Sequence, residues 1–400
     1  MLINEATWDY ILKHSDDDVR QLALQGTKEA GVDMLMALQQ IAGRQTAQRK
    51  LPSWAAIDGI MYPPHLNMEQ CSSEATARYK AKVAGCGNSF VDLTGGFGID
   101  FYWIAQQFSH RTYIEQNAYL CSLAEHNFRL LGLNCSVQCS TTAKYLTEMP
   151  HASLIFLDPA RRNEHGGRTY GIEDCSPNVV ELLPILCRKA DRVIIKLSPM
   201  LDWHNAVETL RLVKEVHIVS VSNECKELLL VLSNKENENL RLVCVNDESC
   251  FEVISTMGTT DSHHGNDGFP QWEKGTNLGQ YRFLYEPNAS IMKAGCFAEL
   301  TKRFDVSLLA PNSHLFLSPV EIRDFPGRGF IIQAISSMNK KELRTSLGSL
   351  ERANISVRNF PLAAEELRKR LKLKNGGSDY IFATTLYDNQ HRLFICRKIG

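Results

Sequence analysis

Residues Val91 to Asp100 read VDLTGGFGID. An apolar opening, Phe90-Val91, ends at Asp92; Gly95, Gly96 and Gly98 then make a tight turn before a helix-like run that starts at Asp100. A strand, a glycine turn and a helix start in that order let backbone approach a nucleoside-bearing ligand at the carboxyl end of a parallel sheet. A second apolar strand, Ser153 to Leu157, ends in Asp158-Pro159-Ala160-Arg161-Arg162. Two such strand ends favour an S-adenosylmethionine (SAM) site over a dinucleotide site.

SAM offers a carboxylate and ammonium, a ribose diol, an adenine and a sulfonium. In this reading Thr94, Gly95, Gly96 and Gly98 bring backbone donors to the methionine portion, and Asp92 accepts from the ammonium. Glu115, at the end of the next strand, takes the ribose hydroxyls. An acid or amide for the adenine is expected after the third strand, but Cys139-Ser140-Thr141-Thr142 stands there, leaving Ser140 as a weak partner. Upstream, EQCSSEAT (69–76) can fold over the cofactor, with Gln70 and Ser72 reaching its carboxylate. A capped helix start, with Ser72 or Ser73 as the cap, explains that segment equally well. The bland alternative for Asp92 and the glycines is a tight turn with a solvated acid.

Asp158 is the candidate reaction-centre residue and a cofactor neighbour. Amino-methylating enzymes use an Asp/Asn-Pro-Pro-aromatic motif to orient a flipped base. This chain keeps Asp158-Pro159 but has Ala160 and Arg161 in the last two places, so the motif alone does not license N-methylation. Arg161 and Arg162 can hold phosphate or a base edge bidentately, or they pair with carboxylates and stiffen the loop. Lys196, at the end of strand five with Asp202 beyond it, joins Asp158 and Arg161 as a catalytic candidate, while Glu224 and Lys226, in a hairpin turn, join Pro159 and Arg162 as candidates for a substrate pocket. Pyrimidine C5 methylation needs a thiolate, which makes Cys225 and Cys175 conceivable nucleophiles. A cysteine beside an apolar strand is more often a packing residue. His263-His264 lies in a polar linker and makes a poor metal site.

Those residues need a sheet to position them. From Ser89 to about Val245, strands are expected at 89–93, 111–115, 135–139, 153–157, 192–197, 215–222 and 227–233. Helix-length segments separate the first six, the pattern of a parallel doubly wound α/β sheet. Only Asn223 to Lys226 separate the last two, which must pair as an antiparallel hairpin. Parallel strands closed by an antiparallel hairpin make a seven-stranded class I methyltransferase sheet, Rossmann-like in its winding. Residues 1–80 read as a helical N-terminal region, with Asn4 and Ser15 as caps and Val32 to Ala47 at helical spacing. The methyltransferase domain is expected at 81–257 and a linker at 258–280. A small α+β unit follows at 281–335, with one helix over 290–303, and another α+β module at 336–400.

The chain has 400 residues and a net charge of −1, so whole-chain charge does not announce a nucleic-acid partner. Locally, 339–374 carries ten Lys/Arg against four Glu. Arg368 and Lys372 stand for a phosphate-binding face there; a solvated amphipathic helix, with Leu367, Leu371 and Leu373 turned inward, is the alternative. The twelve cysteines include no C-x-x-C pair, which argues against metal and for reduced thiols in the cytoplasm. No secretory signal or membrane-length apolar run is read.

VDLTGGFGID, FLDPARR, IIKLSPMLD and SNECKELLLVL, in this order, resemble a bacterial group of class I SAM-dependent methyltransferases that carry a THUMP-like C-terminal domain. ISVRNFPLAAEELRKRLKLKNGGSDYIFATTL resembles the THUMP-like domain, and YRFLYEPNASIMKAG the ferredoxin-like insert before it. The resemblance implies SAM binding through Asp92, Gly95, Gly96, Gly98 and Glu115, Asp158 at the reaction centre, and RNA as substrate. The expectation is a SAM-dependent methyltransferase acting on a tRNA or rRNA base, with the C-terminal modules presenting the substrate and no obligate protein partner. A small-molecule or protein methyltransferase, which would turn over without RNA, and a non-catalytic RNA-binding protein that kept the fold are the alternatives.

Overall fold

A computed structural model describes residues 3–161, 171–234, 239–256, 277–310 and 312–399, with Arg161 and Thr256 described in backbone alone. Most of the expected linker, including His263-His264, lies outside these residues, as does Arg162. The chain divides into two units, Met1–His217 with Lys226–Glu238, and Ile218–Cys225 with Asn239–Gly400.

The first unit opens with six helices: α1 (Glu5–Lys13), α2 (Val19–Gln25), α3 (Met34–Lys50), α4 (Pro52–Ala55), α5 (His65–Gln70) and α6 (Glu74–Ala84). Asn4 caps α1 as expected, but α2 is capped by Asp18 rather than Ser15, since the Asp18 carboxylate accepts from both Arg20 N and Gln21 N. Alternating strands and helices follow: β1 (Gly87–Asp92), α7 (Ile99–Ala105), β2 (Phe108–Glu115), α8 (Ala118–Leu130), β3 (Ser136–Cys139), α9 (Thr142–Glu148), β4 (Ala152–Leu157), α10 (Val179–Lys189), β5 (Ala190–Leu197), α11 (Trp203–Leu210), β6 (Val213–Val221) and β7 (Glu224–Ser233). These seven lie in the order β6-β7-β5-β4-β1-β2-β3 within a sheet of nine strands, two more than expected. Strands β5, β4, β1, β2 and β3 run parallel, and β7 is antiparallel to β5. This is the class I methyltransferase sheet that the alternation predicted. The β6–β7 turn is tighter than expected: Ser222 and Asn223 alone make it, both at positive φ, which suits the twist of a two-residue hairpin.

The later N-terminal helices share their core with the sheet. Leu51, Trp54, Met68, Ala77 and Ala81 join one buried cluster with Phe90, Phe101, Tyr113 and Phe128 of the sheet and its helices. Each large side chain buried there is worth about 1.5–3 kcal/mol. Two amides fasten the extended segment that precedes α5. Gln40 accepts from Tyr62 N and donates to Tyr62 O; Asn127 does the same for Met61. A buried extended segment thereby has its backbone groups satisfied without a neighbouring strand.

In the second unit, β8 (Asn239–Asn246) and β9 (Ser249–Thr256) form an antiparallel hairpin. A seven-stranded sheet follows: β10 (Phe283–Pro287), β11 (Ser307–Leu308), β12 (Phe316–Ser318), β13 (Gly327–Ser336), β14 (Asn354–Arg358), β15 (Asp379–Thr385) and β16 (His391–Lys398), in the order β11-β12-β10-β13-β16-β15-β14. The two expected α+β modules therefore share one sheet. Strand β13 pairs with β10 on one edge and β16 on the other, and a boundary at 335/336 would cut through it. The expected helix over 290–303 is two helices, α12 (Ala289–Ala294) and α13 (Phe297–Phe304), broken at Gly295 with φ 73°. The last two are α14 (Lys340–Leu347) and α15 (Ala364–Leu371). Among the described residues no helix is long and apolar enough to cross a membrane.

Candidate active site at the strand carboxyl ends

Parallel order brings the carboxyl ends of β1, β2, β4 and β5 to one edge of the first unit. The loop after β1 is built around its glycines. Gly96 and Gly98 have φ of 56° and 86°, the left-handed region that side chains resist. A Cβ on Gly95 would collide with the Tyr113 ring, whose hydroxyl donates to Gly96 O at 2.6 Å. A Cβ on Gly98 would lie 2.6 Å from Phe128. At Gly96, by contrast, the nearest atom to a Cβ is Thr94 O at 3.9 Å, so that side of the loop is open.

Three acids frame this loop. Glu115 accepts from Gly96 N at 2.9 Å and from Asn117 N at 2.8 Å, which aims its carboxylate along the glycine turn. Asp92 is 1 % exposed and accepts from Thr94 N at 2.9 Å. Burial pushes its carboxyl well above the ordinary carboxylate range, against the pull of that amide and with Asp100, Asp158 and Glu115 adding to the rise. Asp158 follows β4, and its amide donates to Thr94 Oγ1 at 2.6 Å, so one threonine joins the ends of β1 and β4. The Asp158 side chain keeps 38 % exposure while Oδ2 accepts from Lys196 Nζ at 2.6 Å. Burial alone would lower the Lys196 ammonium, but Asp158 and Asp100 outweigh it and hold the amine above its usual range.

Behind that pair lies a buried charge cluster. Lys80 of α6 is 0 % exposed and donates to both oxygens of Glu227, at 2.7 and 2.6 Å, and to Ser72 Oγ at 2.9 Å. Its ammonium also stands 3.1 Å from Asp100 Oδ1, and Ser72 Oγ donates to Asp100 Oδ2 at 2.7 Å. Burial raises the Asp100 carboxyl, but Lys80 and Lys196 overcome that and leave it below its usual range.

The other expected residues fall as follows. Ser140 is half-buried after β3, with its amide on Glu115 O. Gln70 ends α5 in an exposed position. Ser73 caps α6 and Ser72 turns into the charge cluster, so the two serines divide the cap and the site between them. Pro159 is buried beside Asp158; the Arg161 side chain and Arg162 lie outside the described residues. Asp202 caps α11. Lys226 is exposed near the start of β7. In the second unit, Glu224 is exposed, and Cys225 is half-buried with its thiol on Ala289 O and raised by burial, which opposes a thiolate. Cys175 is buried. Arg368 donates to Ala353 O at 2.8 Å and Arg358 to Glu286 at 2.8 Å, so two of the ten cations in 339–374 are committed internally. The other eight, Lys372 among them, are exposed, while Leu367, Leu371 and Leu373 are buried.

The cluster members Lys80, Asp100 and Glu227 are what reading the sequence missed. A signal existed: Lys80 falls among Ala77, Ala81 and Ala84 on a buried helix face, and Glu227 directly precedes Leu228 to Leu232. Charges at such positions are buried only when paired. Among the described residues no group of three His, Cys, Asp or Glu is placed to hold a metal ion.

A family profile described as THUMP domain-like matches residues 327–398, and one described as a ferredoxin-like domain matches 283–326. A solved structure described as "putative methyltransferase from Porphyromonas gingivalis W83" is 31% identical, over 100% of both chains, with a TM-score of 0.86. The chain belongs to its family. This chain joins a class I methyltransferase sheet to ferredoxin-like and THUMP-like parts, and the profile boundary at 326/327 falls just ahead of β13. Other solved structures cover 40% of this chain: M. capricolum TrmK with S-adenosyl-homocysteine (12% identity, 68% of that chain, TM-score 0.32) and an rRNA methylase from Streptococcus thermophilus (11%, 96%, 0.31). No curated protein matches the chain.

Proposed function

We propose that this methyltransferase-family chain transfers a methyl group from SAM to a base in tRNA or rRNA, with Asp158 at the reaction centre. The observation that carries the reading is the half-exposed Asp158, its amide held by Thr94 and its carboxylate by Lys196, beside an open glycine loop.

The residues around the loop fit the cofactor's groups. Asp92 is a buried carboxylate with main-chain help from Thr94 N, so it has lone pairs for an ammonium. Glu115 is held by two amides and has lone pairs left for a diol. Gly96 leaves room where a side chain would block the approach. When bound, SAM supplies an electrophilic methyl on its sulfonium. The chain's part is to hold the acceptor in line and to exclude competing geometries. Asp158 would accept a hydrogen bond from an exocyclic amine and turn its lone pair toward the methyl. Lys196 would keep that carboxylate in one orientation. The THUMP domain-like match and the eight exposed cations in 339–374 support RNA as the partner.

The test is transfer of radiolabelled methyl from SAM to total RNA, comparing RNA from a strain lacking this gene with RNA from its parent. Label is expected in the deletion-strain RNA alone, and digestion then names the nucleoside. No label in either, with SAM binding intact, would move the assignment to a small molecule or protein. Asp158→Ala should lower transfer at least about 100-fold while SAM affinity by calorimetry stays within about threefold; loss of both would remove Asp158 from the reaction centre.

A further inference from the structure

We infer that Lys80, on the last N-terminal helix, is a positioning residue that governs the Lys196–Asp158 pair through Asp100 and Glu227. The inference rests on the proposed place of Asp158.

Five charged side chains form a continuous array: Asp158, Lys196, Asp100, Lys80 and Glu227. Lys196 Nζ has two acids in reach, Asp158 Oδ2 at 2.6 Å and Asp100 Oδ2 at 3.8 Å. Which acid it favours depends on how much of Asp100's charge is met elsewhere. Lys80 meets it, from 3.1 Å, while gripping both oxygens of Glu227. Ser72 closes the arrangement, accepting from Lys80 and donating to Asp100. Two ammoniums against three carboxylates leave one negative charge in excess, and Asp158 is the most exposed of the three acids. The array thus directs its uncompensated charge toward the edge where an acceptor amine would stand. Among the described residues, other titratable groups facing this array are Asp92, joined to Asp158 through Thr94, Glu115 beyond it, and Cys71, which interacts with Asp100 and Lys196.

Without the Lys80 ammonium, Asp100 and Glu227 are two buried acids with one cation nearby, Lys196. Lys196 would then turn inward and release Asp158. A substitution that removes a charge and its counter-charge together spares this rearrangement, since Lys80→Met with Glu227→Gln restores the single excess negative charge.

Lys80→Met is expected to lower kcat about 10- to 100-fold with KM for SAM within about threefold, and to move the acid limb of the kcat–pH profile upward. Lys80→Met/Glu227→Gln should recover most of the lost kcat. A role in folding alone would instead lower Tm with kcat and the pH profile of the folded fraction unchanged, and the double variant would be worse than the single; that pattern overturns the inference. Glu227→Gln alone, which keeps both lysines, supplies a folded variant should Lys80→Met not accumulate. With Lys80 free to serve Asp100 fully, its acid limb should move downward, and no movement counts against the inference. Crystal structures of the variants separate this question from the substrate: in Lys80→Met the Lys196 ammonium should lie on Asp100 rather than Asp158, whether or not RNA is methylated. A Lys196–Asp158 pair unchanged in that structure would also overturn the inference.

Discussion

On the proposed reading, Asp92 sets binding against stability in a single residue. Its carboxyl is fully buried, and burial raises its proton affinity above that of the unfolded chain, whose value is near 3.8. A raised carboxyl favours the native state below that unfolded value, and the advantage is lost as pH rises toward the folded value. Above the unfolded value the group therefore burdens the fold. Asp92→Asn keeps an oxygen for Thr94 N, so it should raise stability by about 0.5–2 kcal/mol, seen as a higher Tm at pH 7 with the gain shrinking toward pH 4. SAM affinity by calorimetry should fall at least about tenfold in the same variant. A Tm that falls would mean the carboxylate is held by more than Thr94. The place of Asp92 was legible from the sequence because it ends an apolar strand ahead of three glycines; its burial was not, since that depends on β2 and β4 flanking its strand on either side.

The glycine loop is the element on which the site depends, and its constraint comes from a strand distant in sequence. Gly95 must lack a side chain because the Tyr113 ring of β2 occupies the space. Gly95→Ala should therefore cost about 1–3 kcal/mol and also abolish SAM binding, whereas Gly96→Ala should strain the backbone by about 1–2 kcal/mol without displacing Tyr113. A Gly95→Ala variant that keeps its SAM affinity, by calorimetry, would contradict the steric account. The strands and crossovers of the first unit were readable because apolar runs ending in Asp92, Glu115 and Asp158 alternate with helix-length segments. The seven-stranded sheet of the second unit was not, because periodicity marks a strand such as Gly327–Ser336 without naming both its partners. The break at Gly295 did have a local signal, in the glycine itself. Lys80 escaped because its helix reads as an ordinary capped segment, and its partner Glu227 is 147 residues away.

For the whole molecule, a net charge of −1 hides an uneven distribution, with eight exposed cations between Asn339 and Lys374. If these meet RNA, affinity should fall with salt. Replacing Lys340, Lys341 and Arg344 of α14 by Gln should then flatten the log–log slope by about 0.7 for each single-strand phosphate that the three cations neutralise. A slope unchanged by the triple substitution would assign the RNA surface elsewhere. The pairing of Lys80 with Glu227 has a consequence in time. During synthesis α6 and the first six strands emerge before Glu227, and until it arrives Lys80 has Asp100 and Ser72 but not the carboxylate to which it donates twice. A nascent chain that has made its glycine loop, Asp158 and Lys196 therefore still lacks the last ion of the array, and on the proposed role of Lys80 competence waits for the strand that brings Glu227. On that proposal one late glutamate turns an inert intermediate into a finished centre.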